Sequence, residues 1–157
     1  MVLHDGKGNF IWQSFDSPTD TLLVGQYLRA GGPSKLVSRS SEANNVDGAY
    51  SLVMESKWLV MYYKSPNSVR PMLYWTSIEP LTNIGEGSLS YFTLTSEAET
   101  DEGFLYYLTF EYFMTNPSSD SNRNMAYSLY NNTYLYLRLA IDGNLRFLTY
   151  NRNVQGV

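Results

Sequence analysis

The chain has 157 residues, of which 43% are hydrophobic, 17% charged and 15% aromatic, with 14 tyrosines and no cysteine. Its 15 acidic residues against 11 basic ones leave a formal net charge of −4, which argues against a nucleic-acid footprint. The missing cysteine excludes disulfides and thiolate metal sites, and no apolar run approaches membrane-spanning length.

Taken in order, Val2-Leu3 and Phe10-Ile11-Trp12 flank Asp5-Gly6-Lys7-Gly8-Asn9, a glycine-bearing turn that predicts a hairpin. Because the sequence opens inside a strand pattern, and Met1-Val2-Leu3-His4-Asp5 is not a signal peptide, we expect a piece of a longer gene product rather than a cytoplasmic protein. Trp12 to Gln26 is the strongest local signature. It reads as a strand end running into a short capped turn: Asp16 or Ser17 accepts from free amides, Pro18 suits a first helical position, and Asp20 closes a capping-box spacing with Ser17. Leu22-Leu23 then plugs the turn into a core. Arg29-Ala30-Gly31-Gly32-Pro33-Ser34 is the clearest punctuation and the expected boundary. Ser38 to Gly48 is a polar loop with room for one irregular edge strand.

From Ala49 the strands return. Tyr50 to Met54 and Trp58 to Tyr63 are joined by Glu55-Ser56-Lys57, a hairpin loop length. Met72 to Thr76 forms another strand, and Asn83-Ile84-Gly85-Glu86-Gly87 a turn. Leu89 to Thr95 and Phe104 to Phe113 form a longer pair joined by the acidic loop Ser96 to Gly103, and Met114 to Arg123 has the composition of an exposed loop. In Tyr134 to Ile141, Leu135, Leu137, Leu139 and Ile141 share one face while Tyr134, Tyr136 and Arg138 share the other. Asp142-Gly143 is a two-residue turn signal before Asn144 to Tyr150. No stretch has a convincing helical period, so the fold is expected to be all-β, a sandwich, barrel or prism. Three hairpins, centred near Lys7, Ser56 and Gly143, resemble one another, and such loose threefold repetition suits a prism of three small sheets.

Few residues invite chemistry. Asp16 and Asp20 form a conceivable carboxylate pair, but their Ser, Pro and Thr neighbours favour turn capping. His4 is the sole histidine and cannot build a histidine cluster alone. No nucleophile elbow, phosphate loop or dinucleotide fingerprint occurs, so neither an enzyme nor a cofactor is expected. Asn131-Asn132-Thr133 is a glycosylation acceptor pattern at Asn131. The tyrosines Tyr134, Tyr136 and Tyr150 could stack on sugar rings, although cross-strand sheet stabilisation explains them as well.

The Trp12 to Leu23 stretch closely resembles the W-Q-S-F-D-x-P-T-D-T-L-L segment that closes the first lectin domain of plant bulb-type (monocot mannose-binding) lectin proteins. These include S-locus glycoproteins, lectin receptor kinases and epidermis-specific secreted glycoproteins. Leu36 to Ser41, Gly48 to Glu55 and Leu137 to Arg146 resemble the inter-domain stretch, the second-domain opening and its closing repeat in the epidermis-specific branch. The resemblance implies a β-prism (bulb-type lectin) of short antiparallel sheets, incomplete at its N-terminal end. It further implies that residues 1–33 end a first lectin domain and residues 34–157 form a second.

In that family the mannose pattern is Q-x-D-x-N-x-V-x-Y across a hairpin, in which Gln, Asp and Asn pair with sugar hydroxyls. At the last hairpin Asp142 and Asn144 keep the central pair, with Ala140 for Gln, Arg146 for Val and Leu148 for Tyr. At the second, Val60 and Tyr62 keep the last two positions behind Met54, Ser56 and Trp58. At the first, Asp5 and Asn9 match over a longer loop. The resemblance thus implies a non-catalytic, extracellular carbohydrate-binding module with degenerate mannose-type sites, its partners being glycans and a second copy or the rest of the parent protein. The alternative is a protein-interaction or cell-wall structural domain that has lost sugar binding.

Overall fold

The computed structural model describes residues 1–77, 88–99, 103–113, 122–130 and 133–151. The expected turn at 83–87, most of the loop at 114–123 and the acceptor Asn131 lie outside these residues. The described chain is all-β. Strands β1 (Val2–His4) and β2 (Phe10–Gln13) form a hairpin by themselves, followed by one 3-10 turn at Ser14–Asp16. Eleven more strands follow: β3 (Thr21–Leu23), β4 (Tyr27–Arg29), β5 (Lys35–Arg39), β6 (Asp47–Met54), β7 (Leu59–Tyr63), β8 (Met72–Thr76), β9 (Ser88–Glu99), β10 (Gly103–Phe113), β11 (Asn122–Tyr130), β12 (Thr133–Leu139) and β13 (Leu145–Asn151).

They make three further antiparallel sheets, ordered β5-β6-β7-β8, β13-β12-β3 and β11-β10-β9-β4. Among the described residues no barrel closes; the arrangement is that of a β-prism. Each sheet turns one face inward, as period-two alternation requires. The first contributes Leu36, Leu52, Met54, Leu59 and Met61 to a common core, the second Leu22, Leu135, Leu137 and Leu139, and the third Leu28, Leu89, Phe92, Leu94, Leu108 and Phe110. Two short strands from the N-terminal segment are built into this body. β3 pairs with β12 through Leu22 and Leu137, and β4 pairs with β9 through Leu28 and Phe92.

The Trp12 to Gln26 stretch explains how. The 3-10 turn forms before Pro18 rather than after it, and no side chain caps it. Asp16 instead accepts from the Gln13 amide at 2.9 Å. Asp20 is not a cap either. Its carboxylate is buried (3% exposed) and meets Arg39 of β5 at 2.8 Å and Arg138 of β12 at 3.5 Å. The Thr19 and Thr21 hydroxyls donate to its other oxygen. Capping failed as a reading because two arginines distant in sequence outbid the local amides, which a carboxylate prefers when it leaves water. The backbone repeats the stitch: Val37 N–H donates to Thr19 O, and Leu139 N–H to Asp20 O. Leu22 is fully buried but its neighbour Leu23 points out, 43% exposed, so only half of that apolar pair plugs the core.

Removing one partner of a buried pair leaves the other charge stranded. Asp20→Ala should therefore lower the unfolding free energy in urea by about 3 kcal/mol, the lower end for a broken buried pair because both arginines keep some water. A loss below about 1 kcal/mol, the range of surface pairs, would show that the carboxylate clamps nothing.

Candidate functional site

The last hairpin carries the best polar constellation. Leu139 pairs with Leu145, and the loop between them is wider than two residues. Ala140 N–H donates to Asn144 O, and Gly143 N–H donates to Ala140 O. Ile141, Asp142 and Gly143 are thus a three-residue loop with glycine in the left-handed position, φ 79°. Ile141 accordingly leaves the strand and is 42% exposed, unlike Leu135, Leu137 and Leu139. The first hairpin is built alike: Asp5 N–H donates to Asn9 O, Gly8 N–H to Asp5 O, and Gly8 has φ 83°. The second uses a two-residue loop, with Glu55 N–H donating to Trp58 O.

The Asp142 carboxylate is fully engaged. Arg146 donates to both of its oxygens, at 2.8 and 2.5 Å. Asn144 donates to it from its backbone N–H at 3.2 Å and from its side-chain amide at 3.0 Å. Hydrogen bonds from Arg146 and then Asn144 hold this carboxyl well below the usual carboxylate range. A bidentate guanidinium is the strongest partner a carboxylate finds in a protein. The first hairpin satisfies Asp5 in a similar way with Asn9 and the Lys7 amide, and its pKa is lowered, foremost by the Asn9 side chain.

Beneath the loop lies a tyrosine floor. Tyr74 donates to Gly143 O at 2.6 Å, and the Tyr50 ring packs at 5.1 Å from Tyr63 and 5.9 Å, edge-on, from Tyr74. Burial, followed by the nearby Tyr50 and Asp142, pushes the Tyr74 phenol up to about 12. Because folding raises this pKa, its contribution to stability is complete below the ordinary value of 10.0 and fades as pH climbs toward 12.

Val60 and Tyr62 lie elsewhere. They share the face of β7 opposite the core residues Leu59 and Met61. Val60 is only 4% exposed, and the Tyr62 hydroxyl donates to Glu55. The structure therefore does not bring Val60 and Tyr62 together with Asp142 and Asn144. Tyr134 and Tyr150 pair across β12 and β13, both well exposed, while the Arg138 guanidinium sits 5.5 Å over the Tyr136 ring. Sequence reasoning missed the Arg146 clasp, although its signal was present: an arginine four residues after Asp142, where the family pattern has valine.

A prism of small antiparallel sheets with polar hairpins at its edges defines a lectin-like module. No family model matches the chain. It is 48% identical over 145 residues, 90% of its length, to the epidermis-specific secreted glycoprotein EP1 of Daucus carota, and covers 36% of that protein. It is 42% identical over 141 residues, 87% of its length, to EP1-like glycoprotein 4 of Arabidopsis thaliana, covering 30% of it. Over 76 residues, 48% of the chain, it is 41% identical to a G-type lectin S-receptor-like serine/threonine-protein kinase, SD2-5, of the same plant, covering 8% of it. Its relatives are thus EP1 and EP1-like glycoproteins, together with S-locus and G-type lectin receptor proteins that carry bulb-type lectin domains. It spans about a third of the length of the EP1-type relatives it matches.

Two measurements test the hairpin. The Asp142 carboxyl carbon, followed by NMR, should titrate well below the free value of 3.8. The sign follows from the depressed pKa: the clasp is complete above 3.8 and is lost only as pH falls through the lower folded value. A midpoint at the free value would show no clasp in solution. Gly143→Ala would place a Cβ 2.5 Å from the Tyr50 ring at a positive φ, so thermal denaturation should report a loss of about 2 kcal/mol. An unchanged melting temperature would contradict the packing of the loop on its tyrosine floor.

Proposed function

We propose that the chain is a carbohydrate-recognition module of a secreted or cell-surface plant glycoprotein, non-catalytic, and guarded at its mannose-type hairpin by its own arginine. The observation that carries this reading is the Asp142–Asn144 pair, presented on a rigid, glycine-bent loop and held by Arg146. Carboxylate and amide are the groups that would pair with sugar hydroxyls. A sugar entering here must displace a bidentate guanidinium, so wild-type affinity for mannose at this hairpin is low. Repetition along a longer chain could raise it by avidity. The relatives, whose names include a secreted glycoprotein and a receptor-like kinase, support an extracellular location. The division into a first lectin segment, 1–33, and a second, 34–157, is part of the proposal. In it β3 and β4 belong by sequence to the first segment and lend their edges to the second.

A protein-contact role is the second reading, favoured by the β1–β2 hairpin. There Val2, Leu3, Phe10, Ile11 and Trp12 are all at least 37% exposed, an apolar cluster of the kind that marks interaction surfaces.

Substituting Arg146→Val separates the two. On immobilised mannan, this variant should be retained about tenfold more strongly than wild type, because losing a competing charge-assisted contact is worth roughly one decade of affinity. No gain in a variant that melts like wild type would remove the last hairpin as a sugar site and favour the protein-contact reading.

A further inference from the structure

We propose that Tyr50 and Tyr63 form an oxidative coupling site, joined by a dityrosine bond when a haem peroxidase and hydrogen peroxide reach the protein. The bond staples β6 to β7 in a chain that has no cysteine with which to form a disulfide. The site needs no bound glycan. Only the meeting with a secreted peroxidase rests on the extracellular reading, so failure of one leaves the other standing.

The two tyrosines are direct partners across the β6–β7 ladder, where opposed Cβ atoms stand about 4.5–5.5 Å apart. Their ring centres are 5.1 Å apart and their planes are inclined by 40°. Two other tyrosine pairs are looser: Tyr50 and Tyr74 lie edge-on at 5.9 Å, and Tyr27 and Tyr91 lie at 6.2 Å. Tyr74 is moreover tied to Gly143 O, and Tyr91 to Glu111, so either ring must break a hydrogen bond to turn. Among the described residues neither Tyr50 nor Tyr63 makes a side-chain hydrogen bond; their partners are rings. Both are half-buried, at the rim of the core, and their phenol protons can leave to water. The last hairpin confines Tyr50, whose ring lies 2.5 Å from where a Gly143 Cβ would stand. Tyr62 is turned away by strand alternation and donates to Glu55.

The chemistry balances. Each phenol gives one electron and one proton, and the peroxide that accepts both pairs becomes two waters. Each phenoxyl radical carries spin on the Cε carbons beside its oxygen. One C–C bond forms between a Cε of each ring. The hydrogens on those carbons leave as protons, the rings regain aromaticity, and both oxygens are protonated again. Holding the rings side by side favours this coupling over encounter between separate chains. The product restricts the unfolded chain between positions 50 and 63, as a disulfide of that span does. It also fixes the ring on which the Asp142 loop rests.

Treating the dilute intact chain with a haem peroxidase and limiting hydrogen peroxide tests the site. The monomer is isolated and digested with trypsin. Mass spectrometry should find residues 40–57 joined to residues 58–64 with two hydrogen atoms lost, and fragmentation should place the link on Tyr50 and Tyr63. Dityrosine fluorescence of the monomer should disappear in Tyr63→Phe and in Tyr50→Phe, and persist in Tyr62→Phe, each variant checked for an unchanged melting temperature. If Tyr50→Phe melts lower, Tyr63→Phe and the peptide map decide. The linked monomer should unfold at a higher urea concentration than untreated protein. Dityrosine found only between chains, a link through Tyr62 or any other tyrosine, or fluorescence that survives Tyr63→Phe would overturn the site. An unchanged urea midpoint would overturn the staple.

Discussion

One buried carboxylate holds the sheets in register. Asp20 reaches Arg39 on the first sheet and Arg138 on the second, while its own segment leads into β3, the third strand of that second sheet. Next to it Arg138 also donates to Thr21. Short strands such as β3 and β4, three residues each, have little stability by themselves. The charge cluster and the Gln26 side chain fasten β3 at both ends, and Gln26 anchors β4 where it begins. Hydrophobic burial supplies most of the driving force, but it is not directional. The charged clamp selects which edges meet.

Everything on the surface inherits that alignment. The last hairpin is fixed from below by Tyr50 and Tyr74 and from within by Gly143, so Asp142 and Asn144 stand on a rigid platform. A single replacement, arginine at position 146, then turns an open acceptor into an occupied one. On the other side of the same N-terminal stretch, Asp16 and Arg29 share a cleft without closing on each other. Asp142 is thus held by a guanidinium, whereas Asp16 accepts only from the Gln13 amide among the described side-chain contacts. The difference lies in the reach of a neighbouring guanidinium and not in burial.

Much of the fold was legible. Alternation in Leu135, Leu137 and Leu139 placed one face inward, and the Asp5–Asn9, Glu55–Lys57 and Asp142–Gly143 segments each proved to be a hairpin loop. What escaped were long-range pairings. Asp20 looked like a local cap because Ser17 and Pro18 stand beside it, while its true partners lie at positions 39 and 138. Likewise the loop at Asp142 is one residue wider than its Asp-Gly signal suggested, since the bulge is set by Asn144 and by packing on Tyr50. At the candidate site, residue identities were visible in sequence but occupancy was not. Asp142 and Asn144 were legible as polar groups; that Arg146 folds back on them is a matter of side-chain geometry.

Native-state hydrogen exchange on the whole chain tests the clamp most directly. The amides of Val37 and Leu139 donate to Thr19 and Asp20 on either side of it. If the Asp20 segment unites the first two sheets, both amides should exchange only through global unfolding, with the same free energy and the same denaturant dependence. If Val37 and Leu139 open at different free energies, the sheets separate before the chain unfolds, and the clamp is not what holds the prism together.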